Sequence, residues 1–186
     1  SVKAIIIASS DKAYGSHKEL PYREDASLRG DHPYDVSKSC ADLISYAYYH
    51  TYRLPVAITR CGNIYGPGDF NFSRIVPETI RCMLSGCKLR IRSDGKFTRD
   101  YLYVKDIVGG YILLAENLIQ GRFAGESFNF SNEDPIAVEP LVKKIYAIAG
   151  RKPFYQILNK AVCEIKHQYL ASGKARKMLG WKHLYA

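Results

Sequence analysis

The chain has 186 residues, of which 47% are hydrophobic, 24% charged and 12% aromatic. That is the composition of a globular domain and excludes a disordered or collagen-like chain. The longest apolar run, Ala4-Ile5-Ile6-Ile7-Ala8, is far shorter than the roughly 18 residues a membrane span needs. The opening also lacks the pattern of a secretory signal, so a soluble, cytoplasmic protein with no membrane partner is expected.

The net charge of +9 is concentrated at one end. Residues 143–186 hold ten of the Lys and Arg residues against the single acid Glu164, while residues 1–142 are balanced. These cations are scattered among Ile, Leu and Phe, so the end reads as meeting a phosphate-bearing ligand or an acidic neighbouring segment rather than nucleic acid. Cys40, Cys61, Cys82, Cys87 and Cys163 are odd in number with no CxxC spacing. They read as buried free thiols of a reducing compartment, with no metal site.

Val2–Ala8 is a continuous apolar, β-branched run, expected as a strand buried on both faces. Residues 9–32 follow as a polar loop broken by Gly15, Pro21 and Gly30. From Pro33 to Tyr52 there is no further Gly or Pro, and Val36, Cys40, Leu43, Ala47 and Tyr48 recur at helical spacing. A long helix opening at Pro33 is predicted. Leu54–Thr59 is a second strand, running into a Gly-rich loop over 60–68. Helices over 73–85, 103–120 and 138–149 alternate with strands over 88–92 and 126–130, and a short helix is expected at 172–179. Alternating strands and helices make the class α/β. A doubly wound sheet normally has further βα units before a strand such as Val2–Ala8, and the sequence opens without Met, so a fragment is expected.

Tyr34-Asp35-Val36-Ser37-Lys38 places Tyr and Lys four residues apart on one helix face. A free Tyr has a pKa of about 10, and a nearby ammonium lowers it. That would make Tyr34 a usable acid/base for an alcohol proton. Ser9-Ser10-Asp11-Lys12 directly follows a buried strand, at the end where open α/β sheets bind ligands.

Four segments occur in order: Ser9–Gly15, Tyr34–Lys38, Arg60–Pro67 and Arg99–Asp106. Together they resemble the extended short-chain dehydrogenase/reductase superfamily, in its nucleotide-sugar epimerase/dehydratase branch. Pro33–Ile44 and Thr59–Gly66 are most similar to the CDP-glucose 4,6-dehydratase type, and the likeness runs to about residue 181. It implies a Rossmann-type doubly wound parallel sheet, with its C-terminal portion and catalytic residues in 1–68, and a smaller α/β substrate-binding domain mostly in 69–186, a stretch that can also return elements to the sheet. It also implies NAD as cofactor and a nucleotide sugar as substrate. Tyr34 would take the proton of the sugar 4-hydroxyl, and Lys38 would lower the Tyr34 pKa and bind the nicotinamide ribose. Ser10 would bond the same sugar oxygen. Asp11 would protonate the leaving 6-hydroxyl, and Lys12, where related dehydratases carry Glu, would remove the C5 proton if its own pKa were lowered. Cys61 and Ile64 would lie beside the cofactor, and Asn63, Asn71, Arg74 and Arg99 would hold the substrate.

Arg60, Asp106, Tyr14, Tyr65 and Tyr103 read as structural, Asp106 as a helix-start residue. The resemblance also implies a possible homodimer through the Tyr34–Lys38 helix, with Tyr46, Tyr48, Tyr49 and Tyr52 as candidate interface residues. The family's GxxGxxG turn is not in the sequence, so weak NAD binding by this chain is expected. Alternatives are a GDP- or UDP-sugar member of the branch, or a truncated, non-catalytic nucleotide-sugar-binding paralogue.

Overall fold

The computed structural model describes residues 2–162 and 164–185. In chain order, β1 (Ile5–Ala8) leads into a 3-10 turn at Asp11–Tyr14, then α1 (Pro33–Tyr52), β2 (Val56–Cys61), β3 (Asn63–Tyr65) and α2 (Ile75–Ser85). They are followed by β4 (Leu89–Ile91), β5 (Thr98–Arg99), β6 (Tyr101–Tyr103), α3 (Val104–Ile119) and β7 (Ser127–Phe130). Last come β8 (Ile136–Ala137), α4 (Val138–Ile148), β9 (Tyr155–Ile157), β10 (His167–Gln168) and a helical turn at Ala175–Leu179.

The central sheet is parallel, in the order β1-β2-β7, with Ile5 beside Val56 and Ile58 beside Ser127. β7 thus brings a segment from well beyond residue 68 back into the sheet. Three small sheets flank it: β3 with β6, β4 with β9, and β10-β5-β8. The expected loop at 60–68 contains the end of β2 and all of β3, while β5, β6, β8, β9 and β10 are additions to the sequence reading. Among the described residues no helix is long and apolar enough to cross a membrane.

β2 is buried throughout, and its side chains alternate between two layers. Ala57 and Cys61 join Leu114 and Leu118 of α3, Phe128 and Phe130 of β7, and Trp181 in the main core. Arg60 points to the opposite layer, under α1, where it makes a bidentate ion pair with Asp42 through two 2.8 Å bonds. The side chains of Arg60 and Asp42 are 5% and 4% exposed. Arg60 also donates to the Tyr14 hydroxyl at 2.7 Å and lies over the Tyr14 ring. Tyr14 in turn donates to Asn129 of β7 at 2.8 Å, and the Asn129 amide donates to the Tyr22 carbonyl. Burial pushes the Tyr14 phenol up to about 12, consistent with a structural hydroxyl.

This network reverses the expected face of α1. The helix has the predicted bounds, set by Pro33 in its first turn and by Arg53 in the left-handed region, φ 54°, at its end. Its buried residues, however, are Asp35, Ser39, Asp42 and Ser45, whereas Val36, Cys40, Leu43 and Tyr48 are exposed. The polar side is drawn inward because Asp42 must meet Arg60 and because the Ser39 hydroxyl donates to the Ala13 carbonyl at 2.8 Å. Similarly, β1 is half-buried rather than buried on both faces: among the described residues it pairs with β2 alone and stands at the edge of the sheet.

The thiol expectation is also corrected. Cys82 and Cys87 form a disulfide, Cys40 is exposed, and Cys61 is free and buried. Gly86, φ 72°, caps α2 in the left-handed region, and the Cys87 amide donates to the Cys82 carbonyl at 3.0 Å. That helix-ending turn brings the two Cα atoms to 4.6 Å. Cys163 lies outside the described residues. Asp106 stands in the first turn of α3, as expected of a helix-start residue, and its carboxylate accepts the backbone amides of Leu184 and Tyr185 and holds the C-terminal segment. Three of the C-terminal cations meet acids among the described residues: Lys143 with Glu139 at 2.8 Å, Lys174 with Glu126 at 2.6 Å, and Arg176 with Glu133.

Breaking a buried ion pair on one side strands the other charge. Arg60→Met should therefore cost about 3–5 kcal/mol in chemical denaturation, and Arg60→Met with Asp42→Leu should recover much of it. Equal losses in the single and double variants would contradict this assignment.

Candidate active site

At the C-terminal ends of β1 and β2 the chain opens a cleft of about 1050 Å³. Its walls include Ser10, Asp11, Lys12, Tyr34, Cys61, Asn63, Ile64, Asn71, Arg74 and Arg99, ten of the eleven expected site residues. Lys38, the eleventh, stands behind Tyr34 with its Nζ 5.8 Å from the ring centroid.

Each residue is positioned by the local fold. β1 ends at Ala8, and the 3-10 turn Asp11–Tyr14 is capped by Ser10, whose hydroxyl accepts the Lys12 amide at 3.2 Å. The same hydroxyl donates to Asp11 Oδ1 at 2.9 Å, so Ser10 orients the carboxyl. Tyr34, in the first turn of α1, is 57% exposed toward the cleft. The Lys38 ammonium donates to the Ala8 carbonyl at 2.9 Å, tying α1 to the end of β1.

The electrostatics of the adjacent pair Asp11–Lys12 are opposed. Burial raises the Asp11 carboxyl above the usual carboxylate range, against the lowering effect of Lys12, Ser10 and Arg99. Lys12 is pushed below the usual lysine value, first by burial and then by the Arg99 charge. An acid held toward its protonated form beside an amine held toward its neutral form is the arrangement general acid–base chemistry requires. Burial and the Arg99 charge thus both lower Lys12, the direction a base at this position would need.

The other side chains divide by how committed they are. Arg99 is buried and donates to the carbonyls of Thr98, Lys166 and Ile165, leaving two of its five N–H donors for a ligand. Arg74 is exposed and paired with Asp69 at 3.3 Å. Asn71 uses its carbonyl oxygen to accept the Ser73 amide and hydroxyl. Asn63 donates weakly, at 3.4 Å, to the Asp100 carbonyl. Cys61 is a buried thiol pushed well up by burial, which fits packing rather than reactivity. Ile64 is half-buried against the main core.

NAD is the cofactor the resemblance implies, and the donor set at the end of β1 fits its nicotinamide-ribose end. Tyr34 offers an exposed phenol, and Lys38 retains two N–H donors beyond the one given to Ala8. Cys61 and Ile64 would form the apolar wall beside them.

The sequence reading missed Arg90 and Arg92, which project from and just beyond β4 into the same cleft, and Asp35, which lines it with one buried carboxylate oxygen unpartnered. The alternation Arg90-Ile91-Arg92 is the signal that would have found the first two. It also missed Asp100, buried directly beneath Gly62 in the cleft wall. A Cβ at Gly62 would lie 2.2 Å from Asp100 Oδ1. Gly62→Ala should therefore destabilise the fold by about 1–3 kcal/mol in denaturant unfolding, and an unchanged midpoint would contradict that close approach.

Comparisons with known proteins show the family of the chain. Residues 1–129 match the NAD dependent epimerase/dehydratase family. The chain is 33% identical over 159 residues to the dTDP-D-glucose 4,6-dehydratase of Dictyostelium discoideum, covering 80% of this chain and 36% of that protein. It is 29% identical over 195 residues to the CDP-glucose 4,6-dehydratase of Salmonella typhimurium, covering 97% and 54%. Among solved structures, the dTDP-glucose 4,6-dehydratase of Bacillus anthracis in complex with NAD superposes with a TM-score of 0.88 at 28% identity, covering 98% of this chain and 57% of that one. The chain thus spans about half the length of these relatives or less. With the family match extending over more than half of its residues, the chain belongs to the NAD-dependent epimerase/dehydratase family.

Proposed function

We propose that this chain carries the catalytic and substrate-binding residues of an NAD-dependent nucleotide-sugar 4,6-dehydratase, acting on a CDP-glucose-type substrate to give the 4-keto-6-deoxy sugar. The observation that carries the reading is the Asp11–Lys12 pair, with its acid raised and its base lowered. An epimerase that only oxidises and re-reduces C4 has no need of such a pair. The cytidine assignment rests on Lys12 and on Pro33–Ile44, the segments that resemble the CDP-glucose type.

When bound, NAD accepts a hydride from C4 and returns one at C6. Tyr34 removes the 4-hydroxyl proton, with the Lys38 ammonium 5.8 Å from its ring. The resulting 4-ketone acidifies the C5 hydrogen. Lys12, as the free amine, takes that proton; Asp11 protonates the 6-hydroxyl, the C6–O bond breaks, and water leaves. A hydride returned to C6 is matched by the Lys12 ammonium giving its proton back to C5, and the proton that Tyr34 took balances the one Asp11 gave. Arg99, Arg90 and Arg92 face the diphosphate, where a planar guanidinium makes charge-assisted bonds. In this reading residues 1–68 supply the chemistry and residues 69–186 most of the substrate contacts.

The exposed apolar face of α1, with Val36, Leu43, Ile44 and Tyr48 in line, supports the further proposal that a second copy packs there. Light scattering should then report a dimer that Leu43→Glu converts to monomer. A monomeric parent chain would overturn it.

Exchange of hydrogen at C5 tests the chemistry without any hydride transfer. In D2O the chain should wash deuterium into C5 of CDP-4-keto-6-deoxyglucose. Lys12→Met should slow this by roughly 100-fold or more, the usual contribution of a general base, with binding retained in calorimetry. Arg99→Met should weaken binding by about tenfold, or ~1.4 kcal/mol. Exchange that survives Lys12→Met would overturn the base assignment. Tighter binding of the dTDP or UDP sugar would overturn the cytidine assignment, and no binding of any nucleotide sugar would overturn the reading as a whole.

A further inference from the structure

The cleft uses only part of the charge excess. Residues 79–93 and 140–163 contain nine Lys and Arg residues and no Asp or Glu. The fold brings these two acid-free stretches together. α2 and α4 pack through Cys82, Val142 and Tyr146, and both begin at the cleft, which Ile75 and Val138 line. Each runs for 11 residues, so their C-terminal ends adjoin about 16 Å from where they start. Three contacts join those ends. Arg151 donates to the Met83 carbonyl, the Leu89 amide donates to the Phe154 carbonyl at 3.1 Å, and β4 pairs with β9 from Leu89 and Tyr155 onward.

Two kinds of side chain meet there. Leu84, Ile148 and Phe154 are 69%, 78% and 50% exposed, and none of them lines the cleft. Single bare apolar residues are ordinary on a surface, but three gathered at one end form a patch. The cations around them lack counter-charges. Arg81 and Lys143 are paired with Glu78 and Glu139, one turn back along their helices, and Arg90 and Arg92 face the cleft. Lys88, Lys144, Arg151 and Lys152 make no ion pair among the described residues. Lys144 stands one helical turn before Ile148 on the same side of α4. The Lys88 ammonium lies 5.8 Å from the centre of the Phe154 ring.

Exposed hydrocarbon set among unpaired cations suits the surface of an anionic bilayer. There the apolar side chains enter the boundary between headgroups and acyl chains, and the cations meet the lipid phosphates. We propose that the joined ends of α2 and α4 seat this protein reversibly on anionic phospholipid. The contact needs no membrane-spanning segment, the feature whose lack led the sequence reading to expect no membrane partner. Nucleic acid fits the patch less well. Leu84 and Ile148 offer no face on which a base can stack, and the one ring present has Lys88 over it. Neither NAD nor a nucleotide sugar enters this inference.

Sedimentation of the full chain with lipid vesicles tests it. Vesicles of equal parts phosphatidylglycerol and phosphatidylcholine should bind the chain about tenfold or more tightly than phosphatidylcholine alone, and high salt should release it. A cation near such a surface contributes about fivefold, so Lys144→Gln with Lys152→Gln should weaken binding about 25-fold. Leu84→Ser with Ile148→Ser should weaken it about tenfold at unchanged charge. These four side chains are exposed, so both double variants should unfold at the parent's midpoint. In Phe154→Trp the added indole should shift its emission to shorter wavelength on anionic vesicles, while Trp181, 1% exposed, stays constant. No binding to anionic vesicles, equal binding to neutral ones, or double variants that bind like the parent would overturn the proposal. Tighter binding to a single-stranded RNA than to anionic vesicles would overturn it in favour of nucleic acid. Failure of the dehydratase reading would leave vesicle binding unchanged, and the patch variants should retain the parent's nucleotide-sugar binding and C5 exchange.

Discussion

The buried ion pair between Arg60 and Asp42 is the constraint on which the rest of the arrangement depends. It fixes α1 against β2, and through Tyr14 and Asn129 it reaches the turn after β1 and the strand β7. Those are the elements that carry Tyr34, Lys38, Asp11 and Lys12. A bidentate guanidinium–carboxylate bond tolerates little rotation, so the azimuth of α1 is set by Asp42, and the outward aim of Tyr34 into the cleft follows. The apolar stripe of the helix is exposed for the same reason.

This explains which parts of the fold were legible in the sequence. The bounds of α1 were readable because Pro33 opens a stretch with no further Gly or Pro up to Tyr52, and the apolar run of β2 marked a buried strand. The facing of α1 was not readable. A helical stripe of Val36, Leu43 and Tyr48 normally turns inward, and only the distant Arg60 shows that the polar stripe does so here. Strands of two or three residues, such as β5 and β8, show no periodicity and take their place from pairing alone. The Cys82–Cys87 bond was hidden because it depends on the left-handed turn at Gly86.

The site was more legible than the fold around it, because its chemistry is carried by short segments. Ser10, Asp11, Lys12 and Tyr34 meet in one cleft as the segments implied. What could not be read was the environment that gives neighbouring residues opposite characters. Asp11 and Lys12 are adjacent in the chain, yet burial disfavours the charge of each, and the Arg99 guanidinium adds a further penalty only to the ammonium. Asp100 was visible beside Arg99, but its burial beneath Gly62 is revealed only by the packed structure.

The central claim is that the fold makes Lys12 a base, and it is tested most directly by the Lys12 pKa itself. Nuclear magnetic resonance of the side-chain carbons, assigned by loss of the signal in Lys12→Met, would report its titration in the intact chain. The account predicts a midpoint clearly below the ordinary lysine value of 10.5, rising toward it when Arg99 is replaced by Met. A midpoint at or above 10.5, unmoved by that replacement, would contradict it.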